Sequence, residues 1–380
     1  LRRSSVEIGL PQTSAARVKS ADRGALYQVE RYHPDSQSAL LQLQLHHWSP
    51  DLAWNEDYFR WKYRENPCTG DPCVSLVFKN DELVGTRGSY GTRWRVGGDE
   101  VVIPCAGDFV IAPTHRGRGL FRHIMAGLEH DLADRGCSHV LNMSAGPATY
   151  LQSLRDGWRS IGEYAMWQLG KGRSPAASLA EGPVDLRGVG LFDRVDARRE
   201  DASVQSHGRV VIDEMPRPRE MARLETAGRT NQRVRQVRDE RYWAWRFGNP
   251  LSDFRFLYCG DSELEGYAVL QVSLNRESAG YVLLEWEAAD LKVKRELGVA
   301  VRRACRGTPL HVWSATRTPA ELEILTDVGF RPSRDAYRNS RYKPGPLIKT
   351  LPARARTTDC PLSDSTLGAW SLSMGDSDDY

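Results

Sequence analysis

Apolar and polar positions along the chain group into short runs broken by glycine, proline and acidic turns. Ala106-Gly107-Asp108-Phe109-Val110-Ile111-Ala112 reads as a strand ended by Pro113. After Thr114-His115-Arg116-Gly117-Arg118-Gly119, apolar residues recur at Leu120, Phe121, Ile124, Met125, Leu128 and Leu132. That spacing lines one face of a helix. His139 to Asn142 reads as a strand, Pro147 to Arg155 as a helix, and Gly157 as its stop, since glycine past a helix end accepts the left-handed backbone that closes it.

The same order of elements occurs twice, and internal repeats of this kind reveal architecture. Asp57-Tyr58-Phe59-Arg60-Trp61-Lys62-Tyr63-Arg64-Glu65-Asn66-Pro67 is matched by Glu240-Arg241-Tyr242-Trp243-Ala244-Trp245-Arg246-Phe247-Gly248-Asn249-Pro250. Each predicts an aromatic helix halted before proline, which pushes its predecessor out of helical geometry. Val74 to Phe78 and Leu83-Val84-Gly85 predict a hairpin, as do Phe254 to Tyr258 and Gly266 to Leu270. Leu310 to Trp313, Pro319 to Asp327 and Gly329 repeat the strand, helix and glycine of the first half. At the starts, Tyr27 to Arg31 with a helix near Ser38 to His46 corresponds to Val210 to Ile212 with a helix near Pro218 to Thr226.

The length of 380 residues suits two domains of ordinary size, and 40% hydrophobic with 27% charged residues suits folded ones. The expected division is a flexible tail over 1–24, a first domain over 25–170, a linker over 171–206, a second domain over 207–345 and a flexible tail over 346–380. The Ser- and Asp-rich end from Ser363 onward reads as disordered. A net charge of +3 gives no general case for nucleic acid. No apolar run approaches the roughly 18 to 20 residues of a membrane span. Seven scattered cysteines, without a second close pair beside Cys68 and Cys73, read as free thiols in a reducing cytoplasm and not as a metal site.

A strand that turns through glycines into a helix builds an anion site, because unpaired N–H groups and the positive end of the helix converge there. Gly117 and Gly119 let the chain approach a phosphate, and Arg116 and Arg118 add charge. A diphosphate is the natural occupant. The Walker pattern is absent, and Arg122 stands where the dinucleotide motif requires its last glycine.

With strand, Pro113, Arg116-Gly117-Arg118-Gly119 and helix in this order, the segment resembles the GNAT superfamily of acyl-CoA-dependent N-acetyltransferases, whose Arg/Gln-x-x-Gly-x-Gly/Ala motif binds the coenzyme A diphosphate. Phe121 departs from the motif's last position. The resemblance covers about 25–170 well and about 207–342 as a degenerate copy: the stretch from Glu285 to Arg295 has no Arg-Gly-x-Gly turn. It implies a mixed α/β (α+β) fold of two GNAT-like domains, each a mostly antiparallel mixed sheet flanked by helices. The first would bind acetyl-CoA or another acyl-CoA as co-substrate, with no metal, and the second would shape the acceptor site.

Carried over residue by residue, the resemblance places the coenzyme on Arg116, Gly117, Arg118, Gly119, Leu120 and Phe121. Asn142 would touch the pantetheine arm, and a backbone N–H near Ile111 or Ala112 would polarise the thioester carbonyl. Asp108, acidic within an apolar strand, is the nominated general base, with Glu163 as the alternative; a buried carboxylate is costly without a task or a partner. The tyrosine that acts as general acid in many relatives is replaced by Ser153, leaving Tyr150, one helical turn earlier, Ser153 itself, or unaided departure of the thiolate. The expected reaction is transfer of acetyl or a small acyl group to a primary amine of a small molecule, amino sugars included. A Fem-type aminoacyl ligase and a non-catalytic acyl-CoA-binding module stay open as alternatives.

Overall fold

A computed structural model describes residues 27–170, 192–197, 209–227, 233–275, 278–333, 345–352, 362 and 365–377. The chain forms two compact units, the first from the described parts of 1–161 and 346–365, the second from those of 162–180, 186–345 and 366–380.

Unit 1 contains β1 (Gln28–Arg31), α1 (Gln37–Gln44), α2 (Leu52–Phe59), β2 (Cys73–Lys79), β3 (Glu82–Val96), β4 (Asp99–Ile111), α3 (Leu120–Asp134), β5 (His139–Asn142), α4 (Pro147–Arg155) and β6 (Arg159–Ser160). Its sheet runs β1-β2-β3-β4-β5-β15-β6, where β15 is Leu347–Thr350. Pairings are antiparallel except β4 with β5, which is parallel. The apolar face of α3 lies on β1, β2 and β3. Gly85 of β3 permits that approach, since a Cβ there would lie 2.8 Å from Ile124.

Unit 2 contains β7 (Met166–Leu169), α5 (Asp193–Asp196), β8 (Val210–Asp213), α6 (Pro218–Ala227), β9 (Val234–Gln236), α7 (Glu240–Arg246), β10 (Phe254–Cys259), β11 (Gly266–Asn275), β12 (Ser278–Ala288), α8 (Leu291–Ala304), β13 (Leu310–Trp313), α9 (Pro319–Val328) and β14 (Arg331–Pro332). Its sheet runs β8-β10-β11-β12-β13-β7-β14. Here too the one parallel pairing on the path is the fourth strand with the fifth, β12 with β13. Gly266 matches Gly85: a Cβ on it would lie 2.8 Å from Leu297 and Val293 of α8. The fold is thus mixed α/β with two helix-flanked sheets, as expected.

In each unit the sixth strand comes from the other side of the expected boundaries. Met166–Leu169, expected in the first domain, pairs with β13 of unit 2, and Leu347–Thr350, expected in the C-terminal tail, pairs with β5 of unit 1. Leu347 and Ile348 are 0% and 3% exposed, so this segment belongs to a core.

The described residues in the rest of the expected C-terminal tail, 362 and 365–377, are also folded. β16 (Trp370–Ser371) pairs with β9, and Trp370 and Met374 are buried. Asp376 meets the Arg238 guanidinium at 2.7 Å, while Arg246 donates to the carbonyls of Gly375 and Ser377. The Ser/Asp-rich composition concealed apolar anchors and a buried counter-ion. Of the expected linker, 192–197 is described: Phe192 and Val195 belong to the unit 2 core. The remainder of the linker and the expected tail over 1–24 lie outside the described residues.

Candidate active site

The turn after β4 has the geometry an anion requires. Gly117 and Gly119 have φ of +74° and +76°, a region costly for residues with a Cβ. A Cβ on either would meet nothing within 4 Å, so the bend is open. Gly119 is the N-cap of α3 and supplies no side-chain hydrogen bond. The first-turn N–H groups of a 15-residue helix therefore carry no cap and retain the positive end of its dipole.

Residues 116–119 are exposed, and Arg116 steadies the bend by donating from Nε to the Ile111 carbonyl at 3.2 Å. Leu120 is 1% exposed and packs with Val77, Val84 and Ile124, so only its backbone can serve a ligand. Phe121 turns against Phe109, ring centroids 5.3 Å apart, and leaves both glycines clear. His115 is buried, its Nδ1 3.2 Å from the Tyr27 hydroxyl.

Immediately before the turn, β4 is bulged. Thr86 faces Val110 and Gly88 faces Gly107, so Asp108 and Phe109 together oppose Arg87. Asp108 takes φ +54°, a left-handed value. The parallel pairing with β5 lies before this point, at Cys105 with Leu141.

The bulge decides which amide is available. The N–H of Ala112 donates to the Val84 carbonyl at 2.9 Å, so it is committed to β3. This corrects the expectation that Ala112 could polarise a carbonyl. Antiparallel partners alternate between bonded and non-bonded pairs. Ile111, opposite Gly85, accordingly directs its N–H away from β3.

Asp108 is not a free base. Its side chain is 2% exposed, with Lys62 Nζ 2.6 Å from Oδ1 and the Tyr63 hydroxyl 2.5 Å from Oδ2. Lys62 was overlooked in the sequence because its counter-ion lies 46 positions away; the available signal was one lysine inside an aromatic helix. Tyr58, Phe59, Trp61 and Tyr63 are core residues.

Asn142 is 1% exposed at the end of β5: its Oδ1 accepts from the Ser144 amide at 3.2 Å, and its Nδ2 is buried without a hydrogen-bond partner. On α4, Tyr150 and Ser153 are 4% and 0% exposed, and the Ser153 Oγ is likewise a buried atom without a partner. Glu163 is exposed and belongs to unit 2. Among the described residues no group of three or more His, Cys, Asp or Glu side chains could hold a metal ion, and no helix is long and apolar enough to cross a membrane.

In unit 2 the corresponding junction differs. α8 opens on Asp290, whose carboxylate accepts from the Val293 amide at 2.9 Å. A cavity of about 250 Å³ beside it is lined by side chains that include Arg233, Glu287, Lys294, Arg317 and Glu321. Burial pushes the Glu321 carboxyl up, but Arg317 and Lys294 outweigh it and bring it down to about 2.

Residues 39–158 match the family model described as an acetyltransferase (GNAT) domain. Among solved structures, the chain is similar to a GCN5-related N-acetyltransferase from Anabaena variabilis, with 12% identity and a TM-score of 0.55. It is also similar to a conserved protein of Enterococcus faecalis described as a probable N-acyltransferase, with 10% identity and a TM-score of 0.52. A third is a GCN5-related N-acetyltransferase from Kribbella flavida, with 13% identity and a TM-score of 0.51. Each alignment covers 86% of this chain and 72% or 73% of the other. At such identities the likeness establishes the fold. No curated protein matches the chain.

Proposed function

We propose that unit 1 transfers an acetyl or small acyl group from acyl-CoA to a primary amine of a small molecule, with amino sugars the first class to test. The supporting observation is the open turn at Gly117 and Gly119, which leads from a bulged strand into an uncapped helix. Main-chain amides there suit the coenzyme diphosphate, and Arg116 and Arg118 add charge. The Asn142 Nδ2, buried and lacking an acceptor, suits a carbonyl of the pantetheine arm.

The neutral amine attacks the thioester carbon. Its carbonyl oxygen gains charge that the Ile111 N–H is turned to receive. The C–S bond then breaks, the amide forms, and the thiolate leaves, taking a proton from Tyr150, from Ser153 or from water. The attacking nitrogen gives its proton to solvent.

We assign coenzyme binding to unit 1 alone and read unit 2 as a degenerate copy, because Asp290 already occupies the helix end where an anion would sit. Calorimetry with acetyl-CoA, followed by thiol release across amino sugars, polyamines and peptides, tests the reading. Micromolar binding with turnover on one amine class is expected. Absence of binding at millimolar acetyl-CoA would refute it, and binding without turnover on any amine would reduce the protein to a coenzyme-binding module.

A further inference from the structure

Lys62 is the costliest residue in unit 1 to explain. Its side chain is 0% exposed. The ammonium touches the Asp108 carboxylate at 2.6 Å and the Tyr58 hydroxyl at 3.0 Å. The ring centroids of Trp48, Tyr58, Tyr63 and Tyr90 surround it at 5.1 to 5.8 Å. Removing a charged pair from water is expensive, and such a pair persists only with good geometry and further hydrogen bonds. Tyr63 provides one of these, and its approach requires a glycine opposite: a Cβ on Gly88 would lie 1.8 Å from the Tyr63 hydroxyl.

All of this converges on the residue that makes the bulge. Asp108 holds a left-handed backbone that a side-chain-bearing residue adopts at a cost, and the bulge sets the direction of the Ile111 amide. Lys62 and Tyr63 sit in a π-turn, Arg60–Arg64, that continues α2. Asn66, just after it, is fastened to β3 by donating to the Gly91 carbonyl at 3.1 Å. The clamp is thus anchored at its far end.

Unit 2 supplies an internal comparison. Ile111 faces Gly85 and Ala288 faces Gly266, so the residue three before each is Asp108 in one strand and Glu285 in the other. Glu285 is also fully buried and ion-paired, with Arg238 at 2.7 Å. A paired carboxylate at this place therefore occurs where the helix end is closed by Asp290, which argues for a role in shaping the strand.

We infer that Lys62 and Tyr63 are positioning residues that act through Asp108. The three form a clamp that fixes the β4 bulge and thereby aims the Ile111 amide at the thioester carbonyl; Asp108 is part of the clamp and not the general base. The inference rests on the acyl-transfer reading, but the clamp itself can be measured without it.

The full chain would be compared as wild type, Lys62→Met, Asp108→Asn, the double variant and the milder Tyr63→Phe. Three quantities would be read: urea midpoint, acetyl-CoA Kd, and kcat against pH on an active amine. Each single change is expected to lower kcat by about 10- to 100-fold, as misdirected groups do, with Kd shifted less than about threefold. In the double variant the carboxamide at position 108 still accepts from Tyr63, tolerates a positive φ, and leaves no charge unpaired. That variant should regain at least about tenfold in kcat over Lys62→Met, recover its urea midpoint, and retain the acidic limb of the wild-type pH profile. A double variant as inactive as Asp108→Asn, with that limb gone, makes Asp108 the base and overturns the inference. So does additivity of the two changes in urea midpoint, a result obtainable even if acetyl-CoA does not bind, which would refute the acyl-transfer reading by itself.

Discussion

Replacing Gly119 by aspartate puts the proposed coenzyme site to its sharpest test, with Gly119→Asn as the matched control. Gly119 has φ +76°, and a Cβ there meets nothing within 4 Å. Both variants therefore incur backbone strain without a clash. Left-handed geometry costs an ordinary residue about 1–2 kcal/mol, and Asn and Asp tolerate it best. The two should lose similar stability, about 1 kcal/mol in urea denaturation. They differ in charge. A carboxylate roughly 5 Å from a diphosphate, at an effective dielectric near 40, meets about 1.7 kcal/mol of repulsion per phosphate charge, or about 3 kcal/mol for two. That is about a 100-fold loss of acetyl-CoA affinity for the Asp variant beyond any loss in the Asn variant. Calorimetry at low and high salt should show the gap narrowing as screening rises. Equal Kd values for the two variants at low salt would mean that no diphosphate sits on this turn.

Three further outcomes follow from other parts of the chain. Asp376→Ala removes a carboxylate 2.7 Å from the buried Arg238, which keeps Glu285 as a counter-ion, and should cost about 1–3 kcal/mol in urea denaturation; an unchanged midpoint would show that the C-terminal segment is not held there. Burial lowers His311 from 6.5 to about 4, so the unfolded chain binds a proton first, and stability should fall by about 3 kcal/mol as pH drops through that window. The His311→Leu variant should be flatter between pH 6.5 and 4, and parallel curves for variant and wild type would refute this. Leu347→Ala empties a fully buried position of β15 and should cost about 2–5 kcal/mol, with faster amide exchange at Val140 and Leu141 of β5 as the local sign.

Most elements were legible in the sequence because their periodicity and stops are local. The strand His139–Asn142 and the helix Pro147–Arg155 fall at the expected residues, and Gly329 closes α9 with φ +110°. What periodicity cannot tell is which sheet a short strand joins. Met166–Leu169 reads as part of the first domain and Leu347–Thr350 as part of a tail, yet each pairs elsewhere. The choice between Ile111 and Ala112 was illegible for a related reason. A bulge inserts one residue into the ladder and reverses which amides face a neighbour from there on. In the bulge Asp108 has a positive φ, and its carboxylate is held by Lys62 and Tyr63. Lys62 and Asp108 are far apart in sequence, and neither pattern nor composition joins them.

The two units together separate what the fold requires from what a ligand requires. Both have one parallel pairing at the same place in the strand order, a glycine beneath the long helix, and a buried, paired carboxylate three residues before the end of the register. Features common to both can be explained by sheet and helix packing alone. The units diverge at the helix end: Gly119 leaves the first turn of α3 uncapped, whereas Asp290 caps that of α8 with a carboxylate. An uncapped helix end is unfavourable in isolation, because its N–H groups lack partners. A cap of the Asp290 kind commonly contributes about 1 kcal/mol. Unit 1 forgoes that stabilisation at the very point where two left-handed glycines hold the chain open, and an anion supplied from solution would restore it. If the proposed reading holds, acetyl-CoA should raise the stability of unit 1 through these amides, and the effect should depend on Gly117 and Gly119 more than on Asp108.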